Sequence, residues 1–150
     1  MTKTVTLAAA TAGHAEGGTA LNAFDNALLA AGIGNINLVR ISSILPTGVN
    51  LVPLPRIKPG AIIPTAFAAQ TSEVPGEVIA AAVGWALPED RDKNGMIMEF
   101  HDKATREEAE QAIVQMLEEA FRVRGEPEPS WQSPRSAMGR SSRSRSRAGE

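Results

Sequence analysis

The sequence predicts an α+β fold, a layered sandwich of β-sheets flanked by helices. Three observations support this: apolar runs of strand length, two segments with helical spacing of apolar residues, and connections rich in glycine or proline. The chain has 150 residues, 43% of them hydrophobic, which is typical of one compact domain. Aromatic residues make up only 4%, so we expect a core of Ala, Val, Ile and Leu.

The first half of the chain alternates between strand and helix patterns. Leu21, Phe24 and Leu28 recur at helical spacing, and Gly32 is placed to end that helix. Runs containing β-branched residues on either side of it favour strands. The predicted order is a strand at residues 3–10, a glycine-rich loop at 11–20, a helix at 21–32 and a second strand at 35–42.

The second half predicts a proline-rich connection, three strands and a long helix. Residues 44–60 contain four prolines and allow at most edge pairing. Thr105 and Glu108 have the spacing of a capping box, apolar residues then recur every three or four positions, and Gly125 closes the helix. The strands are predicted within residues 61–72, 76–87 and 96–102, the last after a charged loop that ends in the turn-favouring pair Asn94-Gly95.

Composition excludes several classes of site. The chain has no cysteine, which removes disulfides, thiolate catalysis and cysteine-based zinc sites and suits a reducing cytoplasm. His14 and His101 are isolated, so we expect solvated histidines and no metal site. The N-terminal apolar run never lengthens into a signal core, and no window approaches the ~20 apolar residues of a membrane span. We therefore expect a soluble cytoplasmic protein.

The C-terminal end differs from the rest of the chain. Residues 130–150 hold five arginines and one glutamate, whereas the chain as a whole has a net charge of −2. We interpret residues 1–125 as the folded domain and residues 126–150 as a Ser/Arg/Pro-rich, disordered tail. Such a tail could contact nucleic acid through phosphates. Without an aromatic platform we favour a solvated extension and expect no nucleic-acid partner.

Two carboxylates lie where they could carry chemistry. Alternation along the strand at 96–102 puts Met96, Met98 and Phe100 on one face and Glu99 on the other. Glu99 either faces solvent or is desolvated, in which case its pKa rises and it becomes a usable acid. Asp25, on the first predicted helix, could likewise be a plain surface residue or face a cationic ligand.

The pair Ser42-Ser43 interrupts an apolar strand just before a proline turn. Alternation along the strand places Val39, Ile41 and Ser43 on one face with Asn37. The simple interpretation is a strand end whose hydroxyls bind the turn backbone. The alternative is that the Ser43 hydroxyl attacks the preceding carbonyl in an N→O acyl shift. Elimination from the resulting ester leaves dehydroalanine, which hydrolyses to ammonia and an N-terminal pyruvoyl group.

The sequence resembles the pyruvoyl-dependent arginine decarboxylases. The resemblance covers most of residues 19–125 in order and includes "LNAFDNALLAAGIGNINLVRISSILP", "LVPLPRIKPGAIIPTAFA", "SEVPGEVIAAAVGWALPED" and "GMIMEFHDKATREEAEQAIVQMLEEAFRVRG". The first segment is the most specific, because it holds the serine pair and Asp25 in one run. The residues after the long helix depart from the family pattern.

The resemblance implies a function and a set of site residues. Cleavage between Ser42 and Ser43 would give a smaller β fragment, 1–42, and a larger α fragment, 43–150, with a pyruvoyl cofactor formed from Ser43. L-Arginine would form a Schiff base with it and lose CO2 to give agmatine, in polyamine biosynthesis or arginine catabolism. Glu99 matches the proton donor, Asn37 a polar group near the reaction centre, and Asp25 the carboxylate that pairs with the guanidinium.

The resemblance also implies assembly, and it leaves alternatives open. The family forms trimers of αβ protomers, or dimers of trimers, with active sites between subunits. One alternative is an unprocessed, inactive structural or regulatory homologue of the same fold. Another is a decarboxylase of a different amino acid, against which Asp25 argues because a carboxylate selects a cationic side chain.

Overall fold

The structure of the protein is a computed structural model, which describes residues 4–129. Nine elements follow one another along this part of the chain. They are Leu7–Ala8 (β1), Ala20–Ala30 (α1), Asn37–Arg40 (β2), Ile44–Leu45 (β3), Asn50–Leu51 (β4), Ile62–Thr65 (β5), Ala80–Ala86 (β6), Gly95–Asp102 (β7) and Arg106–Val123 (α2). The mixture of two helices with several small sheets confirms the predicted α+β class.

Three sheets organise these strands. β6 and β7 form an antiparallel hairpin that pairs from Ala80 with Asp102 to Ala86 with Met96. β3 adds to the free side of β7 as an edge strand, giving the order β3-β7-β6. β1 pairs in parallel with β4, and β2 in parallel with β5. The proline-rich connection thus contributes only short strands, as its composition predicts.

Helix α2 closes the hydrophobic core against β6 and β7. The predicted capping box is present, since the Thr105 side chain accepts from the Glu108 backbone N–H and the Glu108 side chain binds the Thr105 N–H. Gly125 follows the helix with a φ of 68°, a conformation that favours glycine. The helix buries one apolar face on the sheet, and Met98 and Phe100 pack against that core from β7. Its buried residues are Ala109, Ile113, Leu117, Ala120 and Phe121.

Helix α1 is far less buried. It starts at the N-cap Thr19, and Gly32 follows its end with a φ of 80°, as predicted for Gly32, but none of its residues is buried. Its inner side faces a cavity of about 980 Å³, whereas Leu21 and Leu29 on its outer side are 75% and 51% exposed. The apolar stripe that predicts this helix is therefore only partly covered within the chain.

Three sequence expectations are corrected by the structure. The first strand is limited to two residues, and the expected buried strand within 61–72 is a short, half-exposed strand at Ile62–Thr65. Pro64 offers no N–H for a further ladder on its other side. β2 ends at Arg40, so Ser43 lies outside that strand and does not share its face with Asn37. The predicted disordered tail falls largely outside the described residues.

Candidate active site

The serine pair lies in the short connection between β2 and β3. Ser42 is exposed and lines the cavity beneath α1, whereas Ser43 is half-buried and directly precedes β3. Backbone contacts fix the connection at both ends: the Ile41 N–H binds the Thr65 carbonyl at 3.3 Å, and the Ile97 N–H binds the Ser43 carbonyl at 2.8 Å. The peptide bond between the serines is thus held between two sheets without being part of either.

The backbone contact of Ser43 is made two residues along β7 from Glu99. Ile97, whose N–H binds the Ser43 carbonyl oxygen, and Glu99 are both on β7. Two residues along an antiparallel strand are about 7 Å apart, and their side chains leave the same face. The strand register therefore places the Ser43 backbone two residues along β7 from Glu99, whose side chain lies on the face of the three-stranded sheet opposite α2.

Glu99 is held by a cation. Its carboxylate Oε2 lies 2.9 Å from Nη1 of Arg40, and its side chain is 27% exposed. The same Nη1 donates to the carbonyl oxygen of Phe67 at 2.7 Å. The guanidinium also stacks on the Phe67 ring, 3.9 Å from the ring centre. Glu99 is therefore neither fully solvated nor fully desolvated, the two alternatives that the sequence left open.

Asn37 points away from this group. Alternation along β2 puts Asn37 and Val39 on one face and Leu38 and Arg40 on the other. Asn37 is exposed, and its amide donates to the Gly60 carbonyl at 3.3 Å. Within one chain, the structure does not bring the Asn37 side chain to the side of β2 on which Arg40 meets Glu99.

Asp25 does not face the Arg40–Glu99 pair either. It lies on the outer side of α1 with Leu21 and Leu29, four residues away in each direction, and is exposed. The neighbouring Phe24 points inward instead, with its ring centre 6.3 Å from that of Phe67. Phe24 of α1 thus lies near Phe67, on which the Arg40 guanidinium stacks. The Asp25 carboxylate, one residue further along the helix, faces outward.

Sequence reasoning missed three contributors to this arrangement: Arg40, Phe67 and the backbone of Ile97. One signal was present, because Arg40 is the only charged residue in the apolar run at 35–42 and stands two positions before the serine pair. The other two depend on strand register and loop path. In the described part of the chain, no cluster of three or more His, Asp or Glu residues could hold a metal ion. No helix of residues 4–129 is both long and apolar enough to cross a membrane.

Comparison with known proteins gives a consistent result. The sequence profile of the pyruvoyl-dependent arginine decarboxylase family matches residues 7–148. The pyruvoyl-dependent arginine decarboxylase of Methanocaldococcus jannaschii is 51% identical over 114 residues, which cover 76% of this chain and 69% of that protein. The protein of the same name from Pyrococcus abyssi is 49% identical over 125 residues, covering 82% of this chain and 76% of its own length. A Methanococcus maripaludis protein with this name is 44% identical over 114 residues, or 76% and 70% of the two chains.

Proposed function

Because the chain belongs to the pyruvoyl-dependent arginine decarboxylase family, we propose that it cleaves itself between Ser42 and Ser43 and converts L-arginine to agmatine and CO2. The observation that carries this proposal is the backbone contact between Ser43 and Ile97, two residues from Glu99 on the same strand. It ties the residue that would become the cofactor to the strand that bears the proposed proton donor.

Self-cleavage needs only the chain's own atoms and water. The Ser43 Oγ attacks the Ser42 carbonyl carbon, and the Ser42–Ser43 C–N bond gives way to an ester. Loss of the proton on Cα of residue 43 then breaks the bond from its Cβ to Oγ, which frees a carboxylate on Ser42, and water releases ammonia from residue 43. The half-buried position of Ser43 in an irregular connection suits this chemistry, because regular strand pairing would hold the attacking hydroxyl away from the chain before it.

The residues around Ser43 fit a pyruvoyl group at that position. Such a group supplies a reactive carbonyl and an electron sink, the roles that an organic cofactor has in other decarboxylases. The Ile97 N–H holds the carbonyl oxygen of residue 43, which remains as an amide after cleavage. A fixed backbone donor at this oxygen stabilises negative charge that develops there during decarboxylation.

Glu99 is the proposed proton donor to the substrate carbon that loses CO2. Its side chain leaves β7 two residues from the Ser43 contact and is partly shielded from solvent. Partial shielding limits the access of bulk water to a proton transfer. Glu99 would therefore act where the new C–H bond of agmatine forms.

We propose that Asp25 and Asn37 act at contacts between subunits. Both are exposed, and each lies beside exposed apolar residues: Asp25 beside Leu21 and Leu29, and Asn37 beside Ile62, its partner in the β2–β5 pair. We propose that a second copy of the chain covers these surfaces, in a trimer or a dimer of trimers. Asp25 would then bind the substrate guanidinium and Asn37 would approach the reacting group of a neighbouring subunit.

The division of the chain and its compartment complete the proposal. Residues 1–125 form the catalytic domain, cleaved into 1–42 and 43–150, and residues 126–150 form an extension that the chemistry does not use. The enzyme acts in the cytoplasm, where its amino acid substrate is available.

Intact mass under denaturing conditions tests the proposal first. We expect two fragments, with the larger lacking one ammonia relative to residues 43–150, and agmatine production from arginine by the cleaved protein. The Ser43→Ala variant is the matched control, because it keeps the backbone and removes the attacking oxygen, and it should give one uncut chain.

A single full-length mass for the wild-type protein after prolonged incubation would contradict self-cleavage and favour an inactive homologue. Cleavage without agmatine production would point to another amino acid as substrate. In that case Asp25→Ala should leave both cleavage and arginine affinity unchanged, whereas the proposal expects weaker arginine binding with normal cleavage.

A further inference from the structure

Arg40 makes three contacts that fix its guanidinium. Nη1 donates both to Oε2 of Glu99, at 2.9 Å, and to the Phe67 carbonyl, at 2.7 Å. The planar group also lies 3.9 Å from the centre of the Phe67 ring. A planar cation stacked on a ring and bonded at one end has little freedom left, although the side chain is 56% exposed.

These contacts join two sheets. Arg40 ends β2, Phe67 lies just beyond β5 of the same two-stranded sheet, and Glu99 is on β7 of the three-stranded sheet. The other ion pairs among the described residues involve none of the proposed site residues; they are Lys93–Glu126, Lys103–Glu77 and Arg106–Glu110. The Arg40 pair therefore differs from an ordinary surface ion pair in its anchoring and its position.

The contact is also selective for one carboxylate oxygen. Arg40 binds Oε2 of Glu99, and within residues 4–129 no hydrogen bond is made to Oε1. A carboxylate gripped at one oxygen has its plane and rotamer set, while the other oxygen stays available to carry a proton. This is the arrangement that a directed proton transfer requires.

We propose that Arg40 is a positioning residue that aims Oε1 of Glu99 at the substrate carbon. The inference rests on the proposed function and deepens it, because it states what decides where the proton goes. Arg40 acts through Glu99 and touches neither substrate nor cofactor. Its loss should slow the protonation step and, more specifically, allow the proton to reach the wrong carbon.

A misdirected proton leaves a chemical record. If it adds to the carbonyl carbon of the pyruvoyl group instead of the substrate carbon, the cofactor carbon is reduced and the substrate carbon is oxidised. The substrate nitrogen then stays on the chain as an amine, and water releases the rest of the substrate as an aldehyde. The larger fragment now begins with alanine followed by Ile44, and that enzyme molecule is inactive.

The test compares five cleaved proteins: wild type, Arg40→Met, Arg40→Lys, Lys103→Met and Glu99→Gln. Arg40→Met keeps a flexible apolar stem on Phe67 and removes the charge, whereas Arg40→Lys keeps the charge without the planar fork. Lys103→Met is the matched control, since it removes another exposed cation 2.9 Å from a glutamate, Glu77, which lies in the segment before β6 and outside the proposed site. Glu99→Gln sets the limit for complete loss of the proton donor.

We expect Arg40→Met to cleave normally, to lose about 10-fold to 100-fold in kcat with little change in KM, and to inactivate during turnover. N-terminal sequencing of the inactivated larger fragment should read alanine and then Ile44, whereas the pyruvoyl form is blocked to sequencing. Arg40→Lys should recover part of both losses. Lys103→Met should match wild type in kcat, and the N-terminus of its larger fragment should remain blocked to sequencing after the same number of turnovers.

Two results would overturn the proposal. Arg40→Met with wild-type kcat and no new alanine would show that Glu99 needs no positioning, and a raised KM with unchanged kcat would make Arg40 a substrate-binding group. If Arg40→Met does not fold or cleave, Arg40→Lys carries the same readouts. An uncut or inactive wild-type protein would instead refute the proposed function, so the two failures are distinguishable.

Discussion

The two parts of this molecule differ in how they cover their apolar residues. In the part formed by β3, β6, β7 and α2, the sheet and the helix bury each other, and the buried hydrophobic residues of the described chain all lie between Leu45 and Phe121. In the part formed by α1, β1, β2, β4 and β5, no helix residue is buried, and Ile62 is 69% exposed. The first part closes on itself, whereas the second leaves apolar surface for other molecules to cover.

The proposed cut falls at the boundary between these parts. β1, α1 and β2 precede Ser42, while every strand of the β3-β7-β6 sheet follows it. Each two-stranded sheet pairs a strand from before the cut with one from after it, β1 with β4 and β2 with β5. Cleavage can therefore free the N-terminal end of residue 43 while strand pairing keeps the two fragments together.

The largest effect on stability should come from the closed part. Ile113→Ala removes a side chain that is 1% exposed at the centre of the α2 contact, and such truncations cost about 2–5 kcal/mol. Leu21→Ala, at a position 75% exposed on α1, should stay within about 0.5 kcal/mol in the unassembled protomer, where no second copy covers Leu21. Urea unfolding of the uncleaved Ser43→Ala background, at a protein concentration that keeps it monomeric, measures both without fragment loss. Equal costs at the two positions would show that α1 is packed in solution.

A second experiment tests what covers the open part. Ile62→Asp puts a charge beside Asn37 in the β2–β5 pair, at a surface we propose to lie between subunits. Burying an unpaired carboxylate is costly, so sedimentation velocity should show smaller assemblies, and decarboxylase activity should fall with them. Self-cleavage and the fold of the protomer should persist.

The control for this experiment lies in the closed part. Val123 is 75% exposed at the end of α2, so Val123→Asp introduces the same charge at a comparable apolar surface position. It should leave the assembly unchanged. Loss of assembly in Val123→Asp, with none in Ile62→Asp, would move the subunit contact to the other side of the molecule.

The same contrast explains what the sequence could predict. The sequence predicts the capping box, the apolar face of α2 and the alternation around Glu99 correctly. In the closed part, the spacing of apolar residues along the sequence agrees with which residues are buried. The lengths of β1 and β5 were wrong because strands in the open part have few neighbours to extend them. The role of Arg40 was missed because its partners, Phe67 and Glu99, are distant in sequence and meet only through the register of two sheets.

The smallest predicted effect concerns a polar link at the far end of β7. Lys103 lies 2.9 Å from Glu77, in the segment that leads from the open part into β6. The Lys103 ammonium, with the Ser72 hydroxyl, lowers the pKa of Glu77, and the Glu77 carboxylate raises the pKa of Lys103. The lowered pKa of Glu77 means that the pair stabilises the fold at pH values above the pKa of this group in the unfolded chain. That contribution is lost as the pH falls through its pKa in the folded protein. The raised pKa of Lys103 means that the contribution is fully present below the pKa of lysine in the unfolded chain and is lost as the pH rises through its pKa in the folded protein.

Lys103→Met should therefore lower the free energy of unfolding slightly, and only at pH values between the folded-state pKa of Glu77 and that of Lys103. The difference from wild type in urea unfolding should be greatest near neutral pH, vanish in strong acid where Glu77 is protonated, and shrink with added salt because Lys103 is 65% exposed. A difference that persisted unchanged into acid would mean that Lys103 stabilises the segment by packing its aliphatic stem. In either case the closed core would still determine the midpoint of unfolding, since a screened surface pair contributes much less than the burial of Ile113.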